Sequence, residues 1–240
     1  MSKTMLTLLV ASQAAGCYAA SVLAQCMSGI VHAGLPAQTV QRVEAYVSEL
    51  LDYNERTNVY SKAAYGKLPF HVADSLELAQ LIASEQPRGV LDLGSGSGLP
   101  SMLIACVLPD VPVYAVESKS RKTRFLRHAA KATGLECYTP LTQNVRDLSR
   151  AWYFDVSHVT AKAFKPLNEV GPIGRDCIGD NACLRVPISE SQAREFELEE
   201  SQLHRSSSGE FLFYTEQIEP SRSVAQRKRC TREAARLSRL

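Results

Sequence analysis

The sequence predicts an α/β fold, a doubly wound and mostly parallel sheet with an N-terminal helical extension. Short apolar runs of strand length alternate with helix-compatible segments across the middle of the chain, which is typical of β-α-β units. One such run, Val90–Leu93, leads directly into a loop with three alternating glycines. The chain has 240 residues, of which 45% are hydrophobic, enough for one domain with a buried core and flanking extensions.

Two helices are predicted before the first strand. Gln38–Asn54 places valine and leucine at helical spacing with charged residues between them, so it predicts an amphipathic helix that packs on the domain. Asp74 with Glu77 resembles an N-terminal capping arrangement. This pair predicts a second helix that begins near Asp74 and runs through Ala83.

Strands and helices alternate from residue 90 onwards. The predicted strands are Val90–Leu93, Val113–Glu117, Phe154–Thr160, Ala182–Ile188 and Phe211–Tyr214. The predicted helices are Leu103–Leu108, Thr123–Ala132 and Asn168–Cys177. The last helix is interrupted by Gly171-Pro172, and the last strand is expected near the edge of the sheet.

The two ends of the chain differ from the predicted domain, residues 35–220. Residues 1–34 form an uncharged extension apart from Lys3. We expect either a targeting segment or a loosely packed extension there, and no membrane span, because polar residues dilute its apolar run. Residues 221–240 form a basic tail, which is either an arm that grips RNA or a disordered segment in the free protein.

Charge and cysteine usage narrow the class of protein. The formal net charge is +2, so a strong overall basic field does not drive nucleic-acid binding. The seven cysteines are scattered without Cys-x-x-Cys spacing, which argues against a disulfide framework and a zinc site. We therefore expect no metal and a reducing compartment, in which the cysteines are small buried apolar residues.

The loop Gly94–Pro100 carries the first functional signal. Its glycines at 94, 96 and 98 do not fit the dinucleotide pattern Gly-x-Gly-x-x-Gly, and no P-loop Gly-Lys-Ser/Thr follows. The remaining pattern, Asp-x-Gly-x-Gly-x-Gly, is that of S-adenosylmethionine (SAM) methyltransferases. Glycine would let backbone N–H groups approach a ligand closely, although a simple tight turn between strand and helix is the alternative.

Glu117 is the second signal. It ends the apolar run Val113–Glu117 and follows the glycine loop by about 20 residues, the spacing at which α/β nucleotide folds place a ribose-binding acid. An ordinary solvent-facing strand end is the alternative interpretation. Together with the glycine loop, Glu117 favours a ribose contact.

Five segments in order along the chain carry a family resemblance: Asn54–Asn58, His71–Leu76, Asp92–Pro100, Glu117–Leu126 and Phe154–Leu167. In this order they resemble the motifs of the RsmG (GidB) family, ribosomal RNA small subunit methyltransferase G. Tyr53 stands where the family has tryptophan, and Phe70 where it usually has arginine. The resemblance covers about Leu35 to Pro166, and it implies the Rossmann-like fold of SAM-dependent methyltransferases.

The resemblance implies SAM as the cofactor. Carried over position by position, its contacts fall on Gly94, Leu99, Val145, Arg146 and Lys162. The glycine motif and the ribose spacing add Ser95, Gly96, Gly98 and Glu117. Arg146 stands where the family usually has glutamate, and Lys162 replaces an arginine, a change that matters where the contact is bidentate.

The reaction implied by the resemblance is methyl transfer to guanine N7 in the decoding-region hairpin of small-subunit rRNA. Guanine N7 carries a lone pair and no proton, so we expect no catalytic acid or base, and catalysis by alignment. Asn58, His71 and Asp74 would then be positioning groups or RNA contacts. The alternative for His71 and Asp74 is a capped helix start with a structural histidine.

The implied partner is small-subunit rRNA or a 30S-type subunit, bound by a protein that we expect to be a monomer. The expected RNA-binding residues are Lys119, Arg121, Lys122, Arg124 and Lys165, near Arg127 and Lys162. They follow strand ends, so they are expected near the carboxyl edge of the sheet, where they could contact phosphates. A solvated helix face is the alternative.

Two other functions stay open at this point. One is a SAM-dependent methyltransferase that acts on a small molecule or a protein. The other is a catalytically silent relative that binds SAM or RNA, an interpretation favoured by Arg146 and Lys162. We expect a cytoplasmic protein, or a plastid or mitochondrial one if residues 1–34 are a transit peptide.

Overall fold

A seven-stranded sheet forms the centre of the computed structural model, which describes residues 18–28, 30, 34–206, 208–221 and 227–231. Its strands are β1 (Val90–Leu93), β2 (Val113–Glu117), β3 (Tyr138–Thr142), β5 (His158–Ala161), β6 (Ala182–Ile188), β7 (Leu203–Arg205) and β8 (Leu212–Ile218). The spatial order is β3-β2-β1-β5-β6-β8-β7. A separate two-stranded sheet pairs β4 (Trp152–Tyr153) with β9 (Lys228–Arg229).

The five neighbouring strands β3, β2, β1, β5 and β6 are parallel. β8 pairs antiparallel with β6, and β7 pairs antiparallel with β8. β1 lies between β2 and β5, and all four of its residues are buried. A parallel strand covered on both faces needs a nearly continuous apolar run, which Val90–Leu93 supplies except at Asp92. The mostly parallel, doubly wound sheet confirms the predicted fold class.

Helices cover both faces of the sheet. The main helices are α1 (residues 18–28), α2 (Ala37–Arg56), α3 (Leu68–Ser84), α4 (Ser101–Val107), α5 (Ser120–Ala132), α6 (Val145–Ala151), α7 (Leu167–Cys177) and α8 (Glu190–Glu195). Short 3-10 helices lie at Lys62–Lys67 and Glu200–Gln202. The apolar residues of α1 to α5 form one buried cluster, and those of α6 and α7 form another on the opposite face.

The N-terminal helices pack tightly on the domain. α2 buries Val43, Val47 and Leu50 along one face, as its helical spacing predicts. Val22 and Cys26 of α1 are also buried in the same cluster. The described part of the N-terminal extension is therefore packed on the domain, while residues 1–17 lie outside the described part.

α3 begins earlier than the sequence predicts. It starts at Leu68, with Pro69 in its first turn, where the missing N–H of proline costs no helical hydrogen bond. Asp74 lies inside this helix and is buried, so its predicted role as the N-terminal cap is wrong. The physical reason is a pairing with a distant residue, Lys162, which the local pattern does not contain.

Three further elements differ from the prediction. β3 was missed because Pro140 interrupts its pattern, and proline is tolerated there since β3 is an edge strand. The strand predicted from Phe154 begins only at His158, and Phe154 instead forms an isolated bridge with Ile178. The helix Leu167–Cys177 continues through Pro172 despite the predicted interruption.

Part of the basic tail packs against the domain. Arg227 donates to the main-chain oxygen of Asp176 at 2.6 Å, and Arg229 pairs with Asp155 at 2.5 Å. Cys230 is buried, and its N–H donates to the oxygen of Tyr153 at 2.7 Å. Residues 227–231 are therefore bound to the domain and do not form a free arm. Residues 222–226 and 232–240 lie outside the described residues.

Within the described residues, no helix is both long and apolar enough to cross a membrane.

Gly98 provides a test of the loop that links β1 to α4. Gly98→Ala is expected to lower the free energy of unfolding by about 2–4 kcal/mol, measured by urea unfolding. The cause is a φ of +101° together with a new Cβ that would lie 2.5 Å from Met102 Cγ. Gly66→Ala is the matched control, because its Cβ would meet nothing within 4 Å. Equal losses in the two variants would contradict the strained geometry of the loop.

Candidate functional site

A pocket of about 460 Å³ opens at the carboxyl ends of the parallel strands. The chain order reverses at β1, since β2 lies on one side of it and β5 on the other. Open α/β sheets bind ligands at this kind of switch point. The lining comes from four strand ends: Gly94 after β1, Glu117 of β2, Asn144–Arg146 after β3 and Ala163–Lys165 after β5.

The glycine loop adopts backbone angles that favour glycine. Gly94, Gly96 and Gly98 have φ values of +75°, +59° and +101°. The N–H groups of Gly94 and Ser95 donate to the oxygen of Val116 at 2.9 and 3.0 Å. The N–H of Gly98 likewise donates to the main-chain oxygen of Ser95 at 2.8 Å. These three N–H groups are already hydrogen-bonded within the protein, so they are not the free donors expected from the motif. The loop instead allows a ligand to approach its backbone closely.

Gly94 also makes room for an aromatic ring. A Cβ at this position would lie 2.2 Å from Cδ2 of Phe164, so only glycine accepts the ring in its present place. Phe164 and Gly94 both line the pocket. The pocket therefore has an aromatic wall that the sequence motifs did not identify.

Glu117 contributes a carboxylate to the lining of the pocket. One carboxylate oxygen accepts the N–H of Gly96 at 3.1 Å, and the other accepts the N–H of Lys119 at 2.7 Å. Lys122 Nζ lies 4.0 Å from the same carboxylate. The side chain is buried beside the pocket, which is the placement expected for a ribose-binding acid.

Asp92 and Thr160 form a buried polar pair that sequence reasoning missed. They are register partners on β1 and β5. Neither the two carboxylate oxygens of Asp92 nor Oγ1 of Thr160 has a hydrogen-bond partner among the described residues. Ser95 donates to the main-chain oxygen of Asp92 at 3.1 Å and Ser101 pairs with Tyr138 at 3.0 Å. Both hydroxyls are near enough to the carboxyl to lower its pKa, but by less than burial raises it.

Burial raises the pKa of the Asp92 carboxyl from 3.8 to about 6, because the charged form loses its hydration. Buried polar groups without partners are rare and point to an unsatisfied function such as ligand binding. A positively charged cofactor group is the natural partner of such a carboxylate. The signal in the sequence was Asp92 itself, an acidic residue within the otherwise apolar run Val90–Leu93.

Val145 and Arg146, which the family resemblance implies as cofactor contacts, line the pocket. Asn144 caps α6 by accepting the N–H of Arg146 at 3.0 Å, which fixes both residues at the rim. The guanidinium of Arg146 reaches Glu169 on α7 at 3.3 Å. Its charge is therefore partly balanced by a residue beyond the pocket.

Lys162 does not line the pocket. Its Nζ lies 2.5 Å from Asp74 and 3.3 Å from the main-chain oxygen of His71. Both charged side chains are largely buried, so the pair joins the end of β5 to α3. The structure thus brings together two predicted groups, Lys162 and Asp74, but as an ion pair beside the pocket.

His71 and Asn58 have different surroundings. His71 Nδ1 lies 2.9 Å from the hydroxyl of Tyr60, and burial followed by the charge of Lys162 lowers the pKa of its imidazole. Asn58 is exposed on the loop after α2. The buried neighbour Asn54 instead holds this loop, since its side chain accepts the N–H groups of Val59 and Tyr60 at 2.8 and 3.0 Å.

The predicted RNA-binding residues fall into two groups. Lys119, Arg121 and Arg124 are exposed around the start of α5. Lys122 and Lys165 line the pocket itself.

Four predicted cofactor residues are not among the lining residues. Ser95, Gly96, Gly98 and Leu99 follow Gly94 in the glycine loop, but only Gly94 of this loop lines the pocket.

A second polar cluster lies at the opposite, amino edge of the sheet. Ligand atoms of Glu85, His158 and Cys183 lie within 4.8 Å of one another. The carboxylate of Glu85 already pairs with Arg185 and lies 2.5 Å from His158 Nε2. Burial lowers the pKa of His158. Because Glu85 directly follows α3 and contacts His158 of β5 and Arg185 of β6, we call this cluster a brace between these elements. Its residues come from distant segments, and no local pattern signals it.

The fold and the pocket together define a class of protein. A carboxylate at the end of β2, a glycine loop after β1 and a pocket at the switch point are the features of a Rossmann-like enzyme with a nucleoside cofactor. The comparison with known proteins makes this class specific. The family model described as "rRNA small subunit methyltransferase G" matches residues 39–225, and the chain therefore belongs to the GidB family.

Individual relatives agree with this assignment. A ribosomal RNA small subunit methyltransferase G from Erythrobacter litoralis is 31% identical over 162 residues, covering 67% of this chain and 76% of the relative. One from Bradyrhizobium sp. (strain BTAi1) is 34% identical over 137 residues, 55% of this chain. That match spans 60% of the Bradyrhizobium protein's length.

A solved structure supports the fold. A methyltransferase from Geobacter sulfurreducens aligns with a TM-score of 0.51 at 13% identity, covering 71% of this chain and 88% of that one. The predicted family is confirmed by these findings.

The buried carboxyl of Asp92 predicts a pH-dependent stability. Its folded pKa of about 6 exceeds the unfolded value of about 3.9, so the folded state binds the proton more tightly. This contribution to stability is therefore lost as the pH rises from about 4 to 6, which costs about 3 kcal/mol at pH 7. Asp92→Asn should remove the cost and raise the free energy of unfolding at pH 7.5 but not at pH 4.

The measurement is urea unfolding at both pH values. Asp110→Asn, at an exposed aspartate, is the control and should show no such difference. A gain for Asp92→Asn that is the same at pH 4 and pH 7.5 would contradict the raised pKa.

Proposed function

We propose that this protein transfers a methyl group from SAM to N7 of a guanine in small-subunit rRNA. The observation that carries this proposal is the family match, because residues 39–225 include every residue that lines the pocket. The relatives named above are bacterial, so the proposed target is a ribosome of the bacterial type.

The residues at the pocket fit the cofactor. Glu117 would accept hydrogen bonds from the ribose hydroxyls, and Gly94 would allow the backbone to approach closely. Asp92 and Thr160 are not lining residues, but they lie on β1 and β5, whose ends form the pocket. Their oxygens without partners would attract the positively charged end of the molecule. Val145 and Phe164 provide apolar surface in the lining.

When bound, SAM supplies an electrophilic methyl group on a sulfonium centre. Guanine N7 is a neutral lone-pair donor without a proton, so the protein has no proton to remove. Its task is to align the base with the methyl group, and such alignment can supply about 7–11 kcal/mol. The low pKa of His71 fits a neutral positioning group instead of an acid.

The basic residues around the pocket suit the phosphates of the substrate strand. Lys119, Arg121 and Arg124 around the start of α5, with Lys122 and Lys165 at the rim, would contact the RNA backbone. Such contacts position the strand without reading its sequence. RNA affinity should therefore fall steeply as salt is added.

The test is mass spectrometry of small-subunit rRNA treated with the protein and SAM. Wild type should form 7-methylguanosine in the decoding-region hairpin. Glu117→Gln should need about 10- to 100-fold more SAM for half-maximal rate, because a charged hydrogen-bond acceptor is lost. Glu55→Gln, at an exposed ion pair with Lys62, is the matched control and should behave as wild type. An unchanged 7-methylguanosine level with wild type would contradict the proposed function.

A further inference from the structure

Phe70 is an exposed aromatic residue that neither the cofactor site nor the core explains. In the described part of the chain, the exposed large hydrophobic residues are Phe70 and Tyr18, with 49% and 53% of their surface accessible. Phe70 lies in the first turn of α3. A single exposed ring is normal on a protein surface, whereas a large contiguous apolar patch is not. The position of this ring therefore matters more than its area.

The ring of Phe70 is held by two neighbours. Its centroid lies 5.4 Å from the ring of Phe211 and 6.0 Å from that of His71. Phe211 is buried, and His71 is tied to Tyr60 at 2.9 Å. The exposed ring therefore has a fixed orientation, and we refer to Phe70 with these two supporting rings as the Phe70 platform.

The Phe70 platform lies at the same edge of the sheet as the pocket. The main-chain oxygen of His71 accepts a hydrogen bond from Lys162 at 3.3 Å. Lys162 directly precedes Ala163 and Phe164, which line the pocket. Phe211 precedes β8, whose first residue pairs with the carboxyl-end residue of β6. All three rings thus belong to the edge of the sheet that carries the pocket.

Lys67 provides a positive charge beside the platform. It is exposed three residues before Phe70 and close enough to His71 to help lower the pKa of its imidazole. Lys162 is already paired with Asp74, so Lys67 is the lysine available to a ligand here. A flat aromatic face beside an exposed lysine suits an unpaired nucleotide, because the ring stacks on the base while the cation attracts the phosphate.

We propose that the Phe70 platform stacks on an unpaired base of the rRNA substrate next to the methyl-transfer pocket. This inference rests on the proposed function and names how that substrate is gripped. One ring is far too small for a stable protein interface, which buries about 1,200–2,000 Å². Base stacking on an aromatic side chain requires only one exposed ring face.

Binding of a single-stranded RNA of about ten nucleotides, measured by fluorescence anisotropy, tests the platform directly. Phe70→Ala and Phe70→Leu should each weaken binding by roughly 10-fold, because both lose the aromatic face. Phe70→Tyr should bind like wild type. Phe70→Arg should also bind, since a guanidinium plane stacks on bases, but with a steeper salt dependence. Tyr18→Ala removes the other exposed ring and is the control, with no expected change.

Two results would overturn the platform. Full binding by Phe70→Leu would mean that apolar area, and not stacking, is used. An equal loss in Tyr18→Ala would mean that exposed rings act without regard to position.

Methylation kinetics separate this inference from the proposed function. With rRNA as the substrate, Phe70→Ala should raise KM for RNA by roughly 10-fold with little change in KM for SAM. If wild type methylates rRNA and Phe70→Ala has unchanged kinetics and binding, the platform alone is wrong. If wild type does not methylate rRNA but Phe70→Ala still loses RNA binding, the proposed function fails and the platform stands.

Discussion

The site depends on the two hydrogen bonds that the carboxylate of Glu117 accepts. This carboxylate accepts the N–H of Gly96 at 3.1 Å and the N–H of Lys119 at 2.7 Å. One side chain thereby fixes the glycine loop after β1 and the start of α5 after β2. Because β1 and β2 are parallel and in register, their carboxyl ends, and the pocket between them, are held together by this buried charge.

The neighbouring residues Asp92 and Thr160 show that the site lowers the stability of the fold. A well-packed sheet would place apolar residues at these register positions, but here three oxygen atoms lack partners among the described residues. The raised pKa of Asp92 expresses that cost in free energy. Proteins retain such destabilising groups where a ligand uses them, which agrees with their place beside the glycine loop.

Much of the cofactor site could be predicted from the sequence because its signals are local. Val90–Leu93, the glycine loop and Glu117 each follow from a short pattern, and the structure places them at one switch point. The start of α3, the pairing of Lys162 with Asp74 and the packing of residues 227–231 were missed. Each of these depends on contacts between distant segments, which neither periodicity nor capping patterns contain.

Hydrogen exchange with and without saturating SAM tests whether the pocket at the ends of β1, β2, β3 and β5 holds the cofactor. Amides of residues 94–99 and 143–146 should exchange more slowly with SAM, because binding disfavours local opening. Amides around the brace of Glu85 and His158, at the opposite edge, should not change. If saturating SAM slows exchange at the opposite edge, or nowhere, the cofactor does not bind in this pocket.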